Sequence, residues 1–297
     1  ENIEGLIAYF HARQHLPFSR MQEMFNDVFN IAISEGGIHY LLNRFANKVS
    51  PYYAEIKERI SSSKVIGSDE TGVKINGNKQ WFWTWQTTKL TYITHSENRK
   101  GTTISKHFPN GFPNSTLVHD GWKPQINTLS KNHQLCLAHL QRDLNHLIEL
   151  YPKSNWAKKL LQLFYDSLDL NKKMNLIDKK HCMERDDILE AFQQLLREPP
   201  DKTNKKLYTF YKRMNREQEY LFTFLFHQNV PPDNNASERA IRNVKIKQKI
   251  SGQFKTELAA QNFAKIRSVI DTVLKNGENV INALALLAKN QIYLGTD

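Results

Sequence analysis

Three acidic residues stand where the periodicity of the sequence changes, and carboxylates so placed could support metal chemistry. Asp69 lies within the first predicted strand, Asp120 directly follows the fourth, and Glu238 falls in the first turn or so of a later helix. Carboxylates brought within a few ångströms repel one another unless a cation is bound between them. Oxygen-only ligation suits Mg²⁺ or Mn²⁺. Two such ions would activate an attacking hydroxyl and stabilise a leaving 3′ oxygen, as in phosphoryl transfer.

Each acidic residue also has a simpler interpretation. A single Asp in a loop is more often a cap or a solvated charge, and Glu238 could form an (i, i+4) pair with Arg242, worth about 0.2–0.5 kcal/mol. Glu70 is adjacent to Asp69, but a regular strand points the two side chains to opposite faces, so at most one of them faces a metal. The order and context of the three acids carry the prediction.

Apolar residues at helical spacing predict that residues 1 to about 60 are all helical. A turn at residues 30–37 separates two of these helices. The pair could be a helix-turn-helix that places Asn43, Arg44 and Lys48 on DNA. A packed helical hairpin with a basic surface fits the sequence equally well.

Alternation of apolar and polar residues begins near Lys64 and predicts strands, with a hairpin turn at residues 76–78. The predicted order is three antiparallel strands, a helix at 102–108, a strand at 116–119, a helix at 123–129 and a strand at 134–137. Only helical periodicity follows over residues 140–226, which predicts an inserted helical module. The helix with Glu238 comes next, and two closing helices are expected at 257–275 and 278–289.

This pattern predicts an α/β fold with a mixed sheet, a helical N-terminal region and an all-α insertion before the helix that carries Glu238. We divide the chain into a helical N-terminal region with a possible helix-turn-helix (1–62), the first part of the core (63–139), the insertion (140–229), and the second part of the core with the C-terminal helices (230–297).

The composition favours a polyanionic partner and an intracellular location. The formal net charge is +11 and the sequence pI is about 9.4, as for many nucleic-acid-binding domains. The longest apolar stretches are too short to span a bilayer. Cys136 and Cys182 are too few for a disulfide framework. Because the chain opens at Glu1 within an apparent helix, we expect an upstream segment.

Several further residues have open interpretations. Cys136 and His139 have the spacing of half a zinc site, although a buried cysteine and a histidine beside the site are the simpler explanation. The tryptophans Trp81, Trp83 and Trp85 could stack on unpaired bases but more often belong to a core. A basic stretch close to Glu238 could neutralise DNA phosphates or simply be solvated. Its members are Arg239, Arg242, Lys245, Lys247 and Lys249.

Four blocks of the sequence resemble the signature blocks of the bacterial insertion-sequence transposases of the sixty-six group. They occur in the family's order, at residues 68–73 (SDETGV), 118–122 (VHDGW), 136–142 (CLAHLQR) and 234–242 (NNASERAIR). The third block departs from the family, which usually has an aromatic residue where Leu137 stands and an Arg-Arg pair where Gln141 and Arg142 stand. This departure affects the local DNA contacts expected from His139 and Arg142.

The resemblance implies a DDE-type transposase on a ribonuclease H-like core. Its acidic triad would be Asp69, Asp120 and Glu238, holding two Mg²⁺ or Mn²⁺ ions. The spacings agree, since 120 − 69 is 51 positions and 238 − 120 is 118, which leaves room for the insertion. The partners would be double-stranded DNA, as transposon ends and target, and further copies of the chain in a homodimer or larger assembly. The location would be the bacterial cytoplasm, at the nucleoid.

Two other functions stay open at this point. A nuclease on the same fold would cleave DNA without joining it, and a strand-transfer assay separates it from a transposase. A DNA-binding regulator would need none of the three acids.

Overall fold

The computed structural model describes residues 2–174 and 183–290, which form two compact units. The first unit consists of residues 1–111 and 235–297, and the second of residues 112–234. The division into four regions expected from the sequence stays a prediction. Cys182 lies outside the described residues.

Four helices and one π-helical turn open the first unit, which confirms the helical N-terminal region. They are α1 (Asn2–Ala8), the π-helical turn (Tyr9–Arg13), α2 (Phe18–Phe29), α3 (Glu35–Lys48) and α4 (Ser50–Ser61). The Ser34 side chain caps α3 by accepting a hydrogen bond from the Gly37 amide at 3.1 Å. At the end of α2, Asn30 adopts a left-handed conformation.

Polar side chains of α3 pack against neighbouring helices of this unit. Arg44 and Lys48 both pair with the fully buried carboxylate of Glu4, and Lys48 also donates to the Ala288 carbonyl. Asn43 accepts a hydrogen bond from Asn262 at 2.8 Å. These contacts favour the packed-hairpin interpretation, because the side chains considered for DNA contact help to hold helices together.

The three predicted antiparallel strands are confirmed in the first unit. They are β1 (Val65–Ile75), β2 (Asn78–Gln86) and β3 (Thr91–Ser96), with β2 in the middle. The β1–β2 turn places Asn76 and Gly77 at φ values of 46° and 78°. Two successive residues with positive φ form the tight hairpin turn that Asn-Gly sequences favour.

The remaining helices of the first unit are α5 (Gly101–His107), α11 (Asn235–Ser251), α12 (Glu257–Lys275) and α13 (Val280–Ala288). Helix α12 packs along β3, where the Ile93 amide donates to Ser268 Oγ at 2.8 Å and the Thr91 amide to Thr272 Oγ1 at 3.1 Å. Small hydroxyl side chains thus bring this helix close to the strand.

The tryptophans of β2 belong mainly to the core of the first unit. Trp83 and Trp85 are fully buried and stack with ring centroids 5.8 Å apart. Tyr92 extends this aromatic layer. Trp81 is half-buried, and Lys79 and Arg99 lie over its ring. Stacking on bases is therefore excluded for the two buried indoles in this arrangement.

The second unit combines a parallel strand pair with helices. Its strands are β4 (Phe112–His119) and β5 (Ser130–Leu135), joined through α6 (Lys123–Ile126). The helices α7 (Leu137–Leu150), α8 (Trp156–Met174), α9 (Met183–Arg197) and α10 (Lys205–Arg216) follow, and two 3₁₀ turns complete the unit at Gln218–Tyr220 and Thr223–Leu225.

The predicted α/β class with helical regions is confirmed, since three antiparallel strands are followed by two parallel strands with helices between them. Helix α7 begins at Leu137, which the sequence assigned to the end of a strand. No helix in the described part of the chain is long and apolar enough to cross a bilayer.

A half-buried histidine makes the stability of the fold depend on pH. Burial, reinforced by Lys57 and Lys106, lowers the pKa of His107 from 6.5 to about 4. The unfolded chain therefore binds more protons than the folded one between these values, and stability is lost as the pH falls from 6.5 through 4. We expect urea denaturation midpoints to fall over this range and to fall less steeply in His107→Gln. His146→Gln, at an exposed histidine, should leave the slope unchanged.

Candidate metal centre

Parallel pairing brings Asp120 and Cys136 to the same edge of the second unit. His119 and Leu135, the last residues of β4 and β5, are register partners, so the residues after them lie side by side. The Cys136 amide donates to the His119 carbonyl at 2.9 Å. Helix α7 starts directly after Cys136, which puts His139 in its first turn. The parallel pairing and the start of α7 thus bring three potential ligands together.

The Asp120 carboxylate is oriented by two neighbours. Asn234 Nδ2 donates to Oδ1 at 3.2 Å, and His139 Nε2 lies 3.3 Å from Oδ2. The Asp120 side chain is 26% exposed and that of His139 is 32% exposed. A carboxylate that is held in place yet reachable from solvent is suited to bind a hard cation.

Cys136 is a poor ligand for such a cation. The side chain is 1% exposed, and its Sγ accepts a hydrogen bond from the Asn234 amide at 3.2 Å. Burial raises the pKa of this thiol to about 11, so that it stays protonated near neutral pH. Only the thiolate binds metals well.

One oxygen ligand, one imidazole and one thiol therefore meet in the second unit. The ligand atoms of Asp120, Cys136 and His139 lie within 4.8 Å of one another. Because the thiol is protonated, Asp120 is the member of this trio that fits Mg²⁺ or Mn²⁺, and His139 is placed to orient its carboxylate. The zinc half-site considered from the sequence would require the buried thiol to lose its proton.

A buried pair of histidines supports the turn that follows β4. The Gly121 amide donates to His119 Nδ1 at 3.0 Å, so the neutral ring carries its proton on Nε2 and donates it to His133 Nδ1, also at 3.0 Å. Burial, with His133 and Arg213 nearby, lowers the pKa of His119 to about 3. His119 is therefore uncharged, and it supports the turn next to Asp120 through these two hydrogen bonds.

Gly121 is required at this turn by its backbone conformation. Its φ of +85° is rarely adopted by residues with a side chain. A Cβ atom at this position would also lie 2.8 Å from Nη2 of Arg213, a residue of α10. Arg213 is itself held by Glu217 at 3.0 Å and by Asp143 at 3.4 Å.

In the first unit, the two neighbouring acids of β1 have different environments. Asp69 is half-buried, and its Oδ1 accepts a hydrogen bond from the Glu70 amide at 2.8 Å. The Glu70 carboxylate is 4% exposed and accepts from Arg99 Nε at 2.7 Å. Glu70 is thus committed to a charge-assisted pair.

Glu238 lies in the first turn of α11 and is half-buried. Two contacts fix this helix along β1 and β2. Gln86 Nε2 donates to Ser237 Oγ at 3.3 Å, and Lys245 donates to the Gly72 carbonyl. Glu238 and Lys245 are seven residues apart, about two helical turns, and therefore share a face of α11.

The predicted DNA contacts on α11 divide into exposed and buried residues. Lys247 is 5% exposed, and its ammonium group is 3.3 Å from His11 Nδ1. Burial lowers the pKa of Lys247 to about 8. Its position inside the first unit gives it a packing role. The other members are exposed, as is Arg142 on α7: Arg239, Arg242, Lys245 and Lys249.

Sequence reasoning did not identify His119, Asn234 or Arg213. His119 and Asn234 stand inside the recognised blocks, so their positions next to Asp120 and before α11 were visible signals. Arg213 had no such signal, because only the fold brings this residue of α10 to the turn at Gly121.

The histidine support can be tested by substitution. His119→Leu removes the acceptor for the Gly121 amide and the donor for His133, and leaving buried polar groups unpaired costs about 1–3 kcal/mol. His119→Asn keeps an acceptor for the amide two residues later, as in an Asx turn. We expect His119→Leu to lower the free energy of unfolding more than His119→Asn does, measured by chemical denaturation. Equal losses would contradict the role of the Gly121 hydrogen bond.

Comparisons with known proteins agree with the signature blocks. The family model described as "Transposase IS66 family" matches residues 1–262 of the 297 in the chain. A search of curated proteins found no match. Since the family model covers most of the sequence, the chain belongs to the IS66 family of transposases.

Proposed function

We propose that this chain is a DDE transposase that cleaves transposon ends and transfers the cleaved strand into target DNA on a ribonuclease H-like core. The observation that carries the proposal is the oriented, solvent-accessible Asp120 carboxylate in a member of a transposase family. The order β1–β2–β3, α5, β4, α6, β5 is the one that the periodicity of the sequence predicted, and it is compatible with the core that the family resemblance implies.

The first unit supplies two further acids in this proposal, Asp69 and Glu238. Helix α11 is attached near one end of β1 through Ser237 and Gln86, since Gln86 is the register partner of Gly67. It is attached again at Gly72 through Lys245. Asp69 stands between these attachment points on β1, and Glu238 follows the first of them on α11. The two contacts hold α11 along the part of β1 that contains Asp69, which supports a shared role for the carboxylates of Asp69 and Glu238.

Asp69 is the better candidate of the two adjacent acids in β1. Glu70 is already neutralised by Arg99, and its buried carboxylate has little access to solvent. Removing it from that pair would leave a buried charge uncompensated, which is costly. We therefore assign Asp69 to the triad and a structural role to Glu70.

We propose, from the family resemblance, that Glu238 acts together with Asp120. Asp69, Asp120 and Glu238 would hold two Mg²⁺ or Mn²⁺ ions, with His139 and Asn234 orienting Asp120. When bound, such ions supply an activated hydroxyl nucleophile and stabilise the leaving 3′ oxygen. The exposed Arg239, Arg242, Lys245 and Lys249, with Arg142, would position the phosphate backbone without specifying sequence.

Transposition requires two ends to be processed together. We therefore propose that the chain acts as a homodimer or larger assembly on DNA, in the bacterial cytoplasm at the nucleoid.

Neutralising each acid tests the proposed triad. We expect Asp69→Asn, Asp120→Asn and Glu238→Gln each to reduce Mg²⁺-dependent cleavage of labelled ends by at least about 1000-fold, or about 4 kcal/mol in activation free energy. Binding to the same ends should persist, because the phosphate contacts come from basic residues. Gel assays of cleavage, joining and binding on each variant provide the measurements.

The matched control is Glu257→Gln, since Glu257 is also an acidic residue in the first turn of a helix of the first unit but is exposed. It should cleave at the normal rate. Cleavage without joining by the unmodified chain would favour a nuclease instead. Unchanged cleavage in all three triad variants would exclude this triad and the two-metal mechanism built on it. End binding without any cleavage by the unmodified chain would favour a DNA-binding regulator.

Cys136 provides a test of the type of metal. Because its thiol is protonated and buried, we expect Cys136→Ser to retain Mg²⁺-dependent cleavage within about tenfold, a change of about 1.4 kcal/mol. His139→Gln should lower the activity further, since the imidazole lies against Asp120. Loss of activity in Cys136→Ser that zinc but not magnesium restores would assign the thiol to a metal site.

A further inference from the structure

Helix α10 and the turn before it carry a concentration of positive charge that the proposed reaction does not use. Residues 202–216 contain no acidic residue, while their basic residues are Lys202, Lys205, Lys206, Lys212, Arg213 and Arg216. The two arginines pair with neighbouring carboxylates, in particular that of Glu217. The four lysines make no ion pair with any carboxylate in the described ranges. We call Lys202, Lys205, Lys206 and Lys212 the α10 basic face.

The α10 basic face is separated from the packed side of the helix. Leu207, Phe210 and Met214 are buried within the second unit, whereas all four lysines are exposed. Lys205 and Lys212 are seven residues apart, so they lie on one side of α10 about 10 Å apart along its axis. The helix therefore presents a short row of ammonium groups to solvent.

An aromatic ring holds part of this row in place. Lys202 Nζ lies 6.0 Å and Lys212 Nζ 5.0 Å from the centroid of the Tyr208 ring. Cation–π attraction of this kind restrains flexible lysines without neutralising them. The charges consequently remain available to a ligand.

The inner side of the same helix is fixed to the second unit. Arg213 lies against Gly121 beside the candidate metal ligand and pairs with Asp143 of α7. Tyr211 donates a hydrogen bond from its hydroxyl to the Leu196 carbonyl at 3.0 Å. A ligand on the α10 basic face would therefore be held at a defined position relative to Asp120.

We infer that the α10 basic face is a second DNA-binding surface, which binds the phosphate backbone of duplex DNA. Phosphates of one strand rise about 3.4 Å per nucleotide, so the row from Lys205 to Lys212 matches about three nucleotide steps. Lysines act as point charges and bind phosphates without reading bases. Duplex DNA is favoured over RNA or a lipid surface because the chain belongs to a transposase family.

The test compares the unmodified chain with Lys202→Gln/Lys205→Gln/Lys212→Gln in binding to a random-sequence duplex. EDTA is present throughout, so the outcome does not depend on the proposed triad or on cleavage. Each lost phosphate contact should reduce the slope of log affinity against log salt by about 0.9, or about 2.7 for three. We expect this reduction on random and end-containing duplexes alike, and restoration by the corresponding triple Lys→Arg variant.

The control Lys64→Gln/Lys89→Gln/Lys106→Gln changes the net charge equally at exposed lysines of the first unit. It should leave the salt slope nearly unchanged. An equal loss in this control would overturn the inference in favour of a general charge effect. An unchanged slope in the α10 variant, with a normal thermal melting curve, would overturn it as well. If the α10 variant still binds duplex DNA normally but no longer binds RNA or anionic vesicles, the α10 basic face belongs to that other partner.

Discussion

The pairing of β4 with β5 is the constraint on which the candidate metal centre depends. Because both strands end at the same level, the first residue after β4 is the partly exposed Asp120, and the first residue after β5 is Cys136, which directly precedes α7. The Cys136 amide, bonded to the His119 carbonyl, locks this level. A shift of one residue in the register would turn Asp120 towards the opposite face of the strand and separate it from His139.

Next to the ends of β4 and β5, the second unit buries several polar side chains, and these are paired with one another or with the backbone through hydrogen bonds. Burial lowers the pKa of both His119 and His133, because a second proton would place a positive charge on a buried ring. Gln134 continues this layer by bonding both the Leu221 carbonyl and the Phe224 amide, at 3.0 and 2.9 Å. The turn that carries Asp120 is therefore supported by neutral polar side chains whose orientations are fixed by their hydrogen bonds. Such fixed orientations are expected of a preorganised site.

The sequence predicted the elements best where periodicity was strong and unmixed. Helix α12 has its predicted bounds, because apolar residues repeat along it and Thr256 caps its start. Strands β4 and β5 begin four residues earlier than predicted. Their first halves are polar or irregular, and a register shift lies between Phe112 and Thr116. Such segments become strands through pairing rather than through their own pattern.

The candidate site could be predicted only in part for a similar reason. The recognised blocks contain Asp69, Asp120 and Glu238, but nothing local distinguishes the role of Asp69 from that of Glu70. The distinction comes from Arg99, which is 29 residues away in the chain from Glu70 and neutralises it. Likewise, the buried position of Lys247 depends on His11, which is 236 residues away. Long-range partners of this kind have no signature in a single sequence.

The distribution of ion pairs also explains what the net charge of +11 means for this chain. Several arginines are structural. Arg267 pairs with Asp271 inside the first unit. Arg99 pairs with Glu70, and Arg213 pairs with Glu217. Planar guanidinium groups suit such fixed, multiply bonded positions. The α10 lysines are instead exposed and unneutralised. The excess charge that a polyanion would meet there is therefore lysine charge, which favours adaptable phosphate contacts over the fixed geometry needed to read bases.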